Sequence, residues 1–500
     1  MAIERSRRPV TFELVHLVLA LELSVILFFC LRPASDPDYG WHIANGSHVF
    51  DGRIFSGHDI YSWTANGIWV AHEWLAEAVM YLVHVSLGPT GNSILFGMLG
   101  VVSYAVLART LRRSFAWSIV LIVLPISFLG SMRSIGVRPI MIELLYVSLL
   151  IAIIDAYAAG SMSRARLFLI AFAGAVLWAN THGSFLLMPG LFAISALELR
   201  LARDDRWSSM SWAALISIVS PLANPWGLKL FGFATQSVTS ATTLARIQEW
   251  QSPALTEALA IPFLVQLALA AAGMGASIFR IKRGEWRAGN YPLTLGMVRA
   301  VLFAILALKS GRHVILFGVA AAPMMAEGAM WLFHQLSRKT GRRDDAGPVT
   351  HDASRTLINL TAAVLVFAGI TRAAWKEISP SAQRAALAQR YPVGLVSQLS
   401  ATMTSSRRLL NEYGWGGFLI ERNILPVFID GRSEVYGDAQ LERYASIIHL
   451  QPGWQTTVDS LDLDIVLMPR ASPLSAALEK NGWDLIARDS VAVLLEKRLQ

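Results

Sequence analysis

The chain has 500 residues, of which 54% are hydrophobic and only 16% charged, with a mean hydropathy of +0.47. That balance excludes an ordinary soluble domain and describes a polytopic membrane protein. The net charge of +8 invites a nucleic-acid reading, but the basic residues fall where membrane loops require them, so no nucleic-acid partner is expected; the single cysteine, Cys30, excludes an intrachain disulfide.

The first apolar run, Val15 to about Leu31, follows Arg5, Arg7 and Arg8 and reaches Asp36 without a small-residue cleavage site. It predicts an uncleaved anchor with a cytoplasmic N-terminus. Further runs near 92–109, 115–130, 139–158, 166–180, 183–199, 210–223, 258–279, 297–308, 313–333 and 356–373 predict about eleven spans. Alternate loops collect the positive charge: Arg109, Arg112 and Arg113, then Arg164 and Arg166, then Arg200, Arg203 and Arg206, then Arg280, Lys282, Arg283 and Arg287, and last Arg338, Lys339, Arg342 and Arg343. The alternation assigns those loops to the cytoplasm and the others to the outer face.

A mainly α-helical membrane bundle is therefore expected over 1–373, with a first external loop at 32–91. Residues 374–500 change character and read as a small extracytoplasmic α/β domain. Strand-like runs stand at "GFLIE" (417–421), "PVFID" (426–430) and "DIVLMP" (464–469), and "WDLIARDSVAVLLEK" predicts a hairpin turning at Asp489 and Ser490. Lys376 to Leu399 reads as a helical connector with Pro380 near its start.

Polar, ionisable and aromatic residues gather in five loops of the outer face. The first carries Asp36, Asp38, Trp41 and His42, followed by "HDIYSW" and "VAHEWLAE", whose last part (about 72–87) reads as an interfacial helix. The second holds Arg133 and Arg138; the third Trp178, Asn180 and His182; the fourth "NPWG" (224–227) with Glu249 and Trp250; the fifth Lys309, Arg312 and His313. Taken singly, each has a bland reading: arginine at a helix end snorkels, a loop histidine is solvated, "NPWG" is a turn. Positive charge outside nevertheless opposes the orientation bias, and an anionic partner is one compensating reason for it.

Pro37 biases Asp36 toward extended geometry, in which Asp36 and Asp38 share a face about 7 Å apart. Such a pair suits a general base or a divalent metal site, and the competing reading is an Asx-turn that caps the membrane helix. "HEWLAE" (72–77) mimics the zinc-protease pattern, but Ala76 stands where the second histidine belongs, which excludes a site of that type. Phosphate-cradling glycine loops, nucleophile elbows and kinase signatures are absent from the sequence.

An acidic motif directly after the first span, many helices and an external C-terminal domain together resemble the GT-C class of membrane glycosyltransferases. More narrowly, "DPDYGWHIANG", "GHDIYSWT", "HEWLAE", Arg138–Pro139, "WANTHG", "NPWG", "EWQSP", "GRH" (311–313) and "WGGFLIERNILPVFIDGRSEVYG" resemble a group of bacterial membrane proteins of that class whose substrates are mostly unassigned. One departure is Gly40, which precedes Trp41 where such proteins often carry paired aromatics.

The resemblance implies transfer of a sugar from a polyprenyl-phosphate-linked donor to a glycan, lipid or protein acceptor on the outer face. Asp36 and Asp38 are then candidates for the base or for ligands of a divalent metal ion. Arg133, Arg138, Arg312 and His313 are placed to hold the leaving phosphate, and Trp41, Trp178 and Trp250 to pack on sugar faces, with His42, Asn180, His182 and Glu249 as further substrate contacts. The rival readings are a transporter or flippase of a lipid-linked or anionic solute, and a non-catalytic scaffold. Against transport, no lone carboxylate stands deep within a span except Glu22 and Glu143, near span ends, and no inverted repeat is visible.

Overall fold

The computed structural model describes residues 13–65, 69–239, 250–285, 287–288, 291–292, 294–340, 353–404 and 406–498. Arg5, Arg7, Arg8, Arg342, Arg343 and Glu249 lie outside the described residues. The architecture is a mainly α-helical membrane bundle with a small C-terminal sheet.

Each of the eleven apolar runs contains a helix. In chain order these are α1 (Leu14–Cys30), α3 (Trp74–Arg112), α4 (Trp117–Ser131), α5 (Ile140–Ala158), α6 (Arg164–Ala179), α7 (Leu187–Leu201) and α8 (Trp207–Val219), then Ile261–Lys282, Met297–Lys309, the pair Val314–Ala320 and Ala322–Thr340, and Ala353–Ile378. Among the described residues, five helices are long and apolar enough to cross a membrane singly, and a sixth crossing follows if the pair bent by 62° at Ala321 counts as one. Two helices not expected from the pattern, α2 (Tyr39–Val49) and α9 (Lys229–Thr239), sit between the apolar helices, α2 after the first and α9 after α8.

Helix α3 shows how the first loop is joined to the bundle. Straight, its 39 residues would reach roughly 58 Å, about twice the hydrocarbon thickness. The chain breaks it at Gly88, whose φ of 67° and ψ of −169° are open to glycine, just before Pro89. The segment before the break is helical over most of the stretch read as a helix from the sequence, about 72–87, and the rest packs on α1, α4 and α5.

The C-terminal sheet has the order β3-β4-β6-β5, following a two-residue ladder of β1 (Arg287–Ala288) and β2 (Tyr291–Pro292) earlier in the chain. Strand β3 (Leu409–Asn411) runs parallel to β4 (Ile465–Pro469); β5 (Trp483–Arg488) and β6 (Ala492–Lys497) form the expected hairpin. Asp489 sets its turn by accepting the N–H groups of Val491 and Ala492, both at 2.8 Å.

Two expected strands are not strands of the sheet. "GFLIE" is the helix Gly416–Glu421, because it packs end-on against α2: a Cβ on Gly417 would stand 2.3 Å from the Pro37 carbonyl, and one on Gly40 would stand 2.1 Å from the Gly417 carbonyl. The departure at Gly40 thus has a steric cause. "PVFID" is extended but pairs with the first external loop, through Val427 N–H to the Tyr61 carbonyl (2.9 Å) and Trp63 N–H to the Val427 carbonyl (3.1 Å). The Asn411 side chain takes the neighbouring backbone groups of Phe428 and Ile429.

A buried ion set fastens the two parts together. Arg432, about 1% exposed, meets Asp430 and Asp59 at 2.6 Å each, Tyr436 donates its hydroxyl to Asp430 at 2.6 Å, and the guanidinium lies over Tyr61 and Trp69 at 4.9 and 4.6 Å. Asp59 belongs to the loop between α2 and α3 and Arg432 to "FIDGR", so the charges join segments far apart in sequence.

Candidate functional site

The "DPD" turn is shaped by its own side chains. Asp36 Oδ1 accepts the N–H of Asp38 at 3.1 Å, an Asx-type turn that leads straight into α2. Asp38 therefore has helical angles, φ −86° and ψ −16°, and the extended geometry expected from Pro37 does not hold through it. The carboxylates have separate partners: Asp36 Oδ2 lies 3.4 Å from Arg138 Nε, while Asp38 Oδ1 accepts the Trp41 indole N–H at 3.0 Å. Gly431 of the C-terminal domain closes on this turn so tightly that a Cβ there would sit 1.7 Å from Asp38 Oδ1. Burial first, and the Asp36 charge second, push the Asp38 carboxyl up to about 6, against the opposing pull of His42, the indole and Arg138.

One turn further along α2 lies a second group of ionisable side chains. His42 Nδ1 is 3.1 Å from Glu77 Oε1 and 3.9 Å from Glu73 Oε2, and Asn45 donates to the same Glu77 oxygen at 2.9 Å. The Nε2 atoms of His72 and His182 approach Glu73 Oε1 at 3.4 and 3.6 Å, and His182 also faces Glu143 at 4.0 Å. Burial disfavours charge on each of these groups, yet paired charges prevail at three of them. Burial would lower His72, but Glu73 carries it up to about 9; burial would raise Glu73, but His72 brings it down to about 2; His42 is raised in spite of burial by Glu77 and Glu73. At His182 burial wins and the imidazole is lowered, and at His313 burial and then Arg312 take it down to about 4.

The remaining residues named from the sequence occupy the same face. Trp41 is buried and stacks on His42 with ring centroids 3.7 Å apart. Arg312 lies over the Trp250 ring at 4.5 Å, with His313 edge-on to the same ring at 6.2 Å. Arg133 pairs with Glu257 at the exposed rim. Asn180 is engaged structurally: it accepts from the Trp74 indole at 2.7 Å and donates to the carbonyls of Val176 and Ala223. Trp178 is buried and donates to Ser184. The five loops thus meet one another, with Trp226 of "NPWG" donating to the Ala71 carbonyl at 3.2 Å and Gly311 N–H to the Gln251 carbonyl at 2.9 Å.

Sequence reasoning did not select His72, Glu73 or Glu77, and it treated Glu143 as a span-end carboxylate. The available signal was the spacing of Glu73 and Glu77, four apart and hence on one helical face. Beside the cluster, a cavity of about 620 Å³ opens between α3, α6 and "NPWG", lined mainly by apolar groups of Trp74, Leu75, Phe172, Val176 and Pro225.

No protein-family model matches the chain, and no curated protein matches it in sequence. Solved structures do. The oligosaccharyltransferase AglB from Archaeoglobus fulgidus, in complex with an inhibitory peptide and a dolichol-phosphate, aligns with a TM-score of 0.54 at 11% identity over 91% of this chain and 69% of that one. The apo form of the Archaeoglobus fulgidus oligosaccharyltransferase gives 0.53 at 13% with the same coverage, and apo ArnT from Cupriavidus metallidurans gives 0.52 at 12% over 97% of this chain and 99% of that one. At such identities what is shared is the fold, the GT-C-like bundle with a C-terminal domain.

Proposed function

We propose that this protein is a GT-C-type glycosyltransferase that moves a sugar from a polyprenyl-phosphate-linked donor to an acceptor at the outer face of the membrane. The observation that carries the reading is the Asp38 carboxylate, held at the junction of the first external loop and the C-terminal domain in a fold shared with an oligosaccharyltransferase whose solved complex contains a dolichol-phosphate. With Oδ1 occupied by the Trp41 indole, Oδ2 is the oxygen that takes the acceptor proton as the hydroxyl attacks the anomeric carbon and the lipid phosphate departs. A carboxyl raised to about 6 is still ionised at neutral pH and is a stronger base than an ordinary aspartate. Arg312 is the cation best placed for the departing phosphate, since Arg133 and Arg138 already face carboxylates. The apolar cavity beside Trp74 suits an isoprenoid chain.

The reading requires residues after 374 to lie outside the cytoplasm, so a reporter active only there, fused after Gln500, is expected to be active.

Transport is the second reading, and one observation favours it. Arg299, Glu198 and Asp155 are buried together inside the bundle, with Arg299 donating to the carbonyl of Ala320 at the helix break. Purified protein in proteoliposomes given a labelled polyprenyl-phosphate sugar separates the two: transfer yields a labelled acceptor, whereas transport moves intact donor across the bilayer with no chemical change. Movement without labelled acceptor, across a panel of cell-envelope lipids and glycans, overturns the transferase reading.

A further inference from the structure

We infer that His42, Glu73 and Glu77 together hold a divalent first-row metal ion of the zinc or manganese kind, and that Asp36 and Asp38 do not. The assignment goes beyond the transferase reading and stands without it.

The three side chains are brought together by rigid backbone. Glu77 lies in the first turn of α3, four residues after Glu73, and its N–H bonds the Glu73 carbonyl at 3.0 Å. His42 and Gly46 lie four apart on α2, and a Cβ at Gly46 would stand 2.1 Å from the Glu77 carbonyl and 2.6 Å from Tyr81 Cβ. Glycine at 46 is therefore what lets α2 come close enough for the imidazole to reach both carboxylates.

The donor geometry fits a metal. One donor atom from each residue lies within 4.8 Å of the other two, with His42 Nδ1 and Glu77 Oε1 already at 3.1 Å. Ligands of a tetrahedral zinc stand roughly 3.4 Å apart, given metal–ligand bonds of about 2.0–2.2 Å, so rotation of the two glutamate side chains closes the site. The set of one imidazole and two carboxylates matches such ions, whereas magnesium prefers oxygen donors in octahedral array.

A second observation is independent of the spacing. Glu77 Oε2 and Asn45 Oδ1 have no hydrogen-bond partner among the described residues, although Glu77 is about 1% exposed and Asn45 fully buried. A buried carboxylate oxygen left without a partner, as Glu77 Oε2 is, is costly unless a cation compensates it. Asn45, bonded to the other Glu77 oxygen, fixes that carboxylate's orientation as an outer partner of a metal ligand does. The "DPD" carboxylates, by contrast, are turned to Arg138 and Trp41 and do not offer three converging donors.

The test uses the full chain in detergent, purified without a histidine tag, stripped by chelator and dialysed separately against zinc, manganese and magnesium, with bound metal and thermal midpoint both measured. Stoichiometric retention of zinc or manganese, with a raised midpoint, and no retention of magnesium are expected. Glu77→Gln and His42→Gln should weaken retention more than tenfold, Asn45→Ala by about ten- to a hundredfold, and Asp38→Asn not at all. Stripped wild-type protein that takes up neither ion overturns the inference, a result that needs no variant to fold. Retention unchanged in Glu77→Gln, or lost in Asp38→Asn, overturns it equally. Metal uptake without any sugar transfer leaves the site standing and counts against the transferase reading alone.

Discussion

Two buried charged clusters lie in the loops that join the helices of this molecule to its C-terminal sheet region, and they are built differently. The Asp59–Arg432–Asp430 set is closed: both carboxylates meet the guanidinium at 2.6 Å, Tyr436 supplies another donor, and the rings of Tyr61 and Trp69 lie against the cation. The His42–Glu73–Glu77 set is open, with Glu77 Oε2 and Asn45 Oδ1 left over among the described residues and with His72 and His182 approaching Glu73 at 3.4 and 3.6 Å. A closed set holds segments in register; an open one has capacity to bind. Physically, the first is a fastener between the loop before α3 and the C-terminal segment that carries Asp430 and Arg432, and the second is a candidate site.

The largest effect separates them by stability. Asp59→Ala leaves Arg432 buried with one carboxylate fewer, a change that costs about 3–5 kcal/mol in comparable buried pairs. A thermal or denaturant midpoint on purified protein should fall accordingly. Glu77→Gln removes charge from a crowded acidic pair and should shift the metal-free midpoint far less. Equal losses from both would erase the distinction between fastener and site.

Arg312→Ala comes next. If its guanidinium holds the departing phosphate, transfer should drop by about ten- to a hundredfold, the equivalent of one charge-assisted hydrogen bond, and lysine should restore only part of it. A merely anchoring arginine would be replaced by lysine without loss, and alanine would lower protein yield rather than turnover.

Much of the fold was legible in the sequence because membrane helices announce themselves by length and apolarity, which is why all eleven runs contain a helix. The C-terminal hairpin was legible for a similar local reason, an Asp-centred turn between alternating strands. What failed was non-local. "GFLIE" has strand composition, yet its glycine, Gly417, and Gly40 of α2 make a close crossing of the two helices, and "PVFID" spends its hydrogen bonds on the first loop and on Asn411. The "DPD" turn and the residues around it were found from their chemistry. Glu73 and Glu77 were passed over because the pattern sought a histidine at 76, whereas the imidazole beside them comes from position 42, on another helix.

The smallest predicted effect is a displacement on the pH axis. Asp38 must be ionised to act as a base, and its folded value is raised, so the active fraction grows as pH rises through about 6. Transfer should fall about tenfold per pH unit below that point. Asp36→Asn removes the neighbouring negative charge that helps raise Asp38, so the acid limb of the profile should move to lower pH whatever happens to the maximal rate. A limb that stays in place would mean that Asp38 is not the titrating base.

The central claim is that Asp38 carries out transfer while contributing little to the fold, and it is tested most directly by turnover of Asp38→Asn against wild type with a polyprenyl-phosphate sugar at matched protein amounts. The substitution keeps the shape and a hydrogen-bond acceptor for Trp41, so the thermal midpoint should be nearly unchanged while turnover falls at least about a hundredfold. Wild-type turnover in Asp38→Asn, at an unchanged midpoint, would contradict the claim.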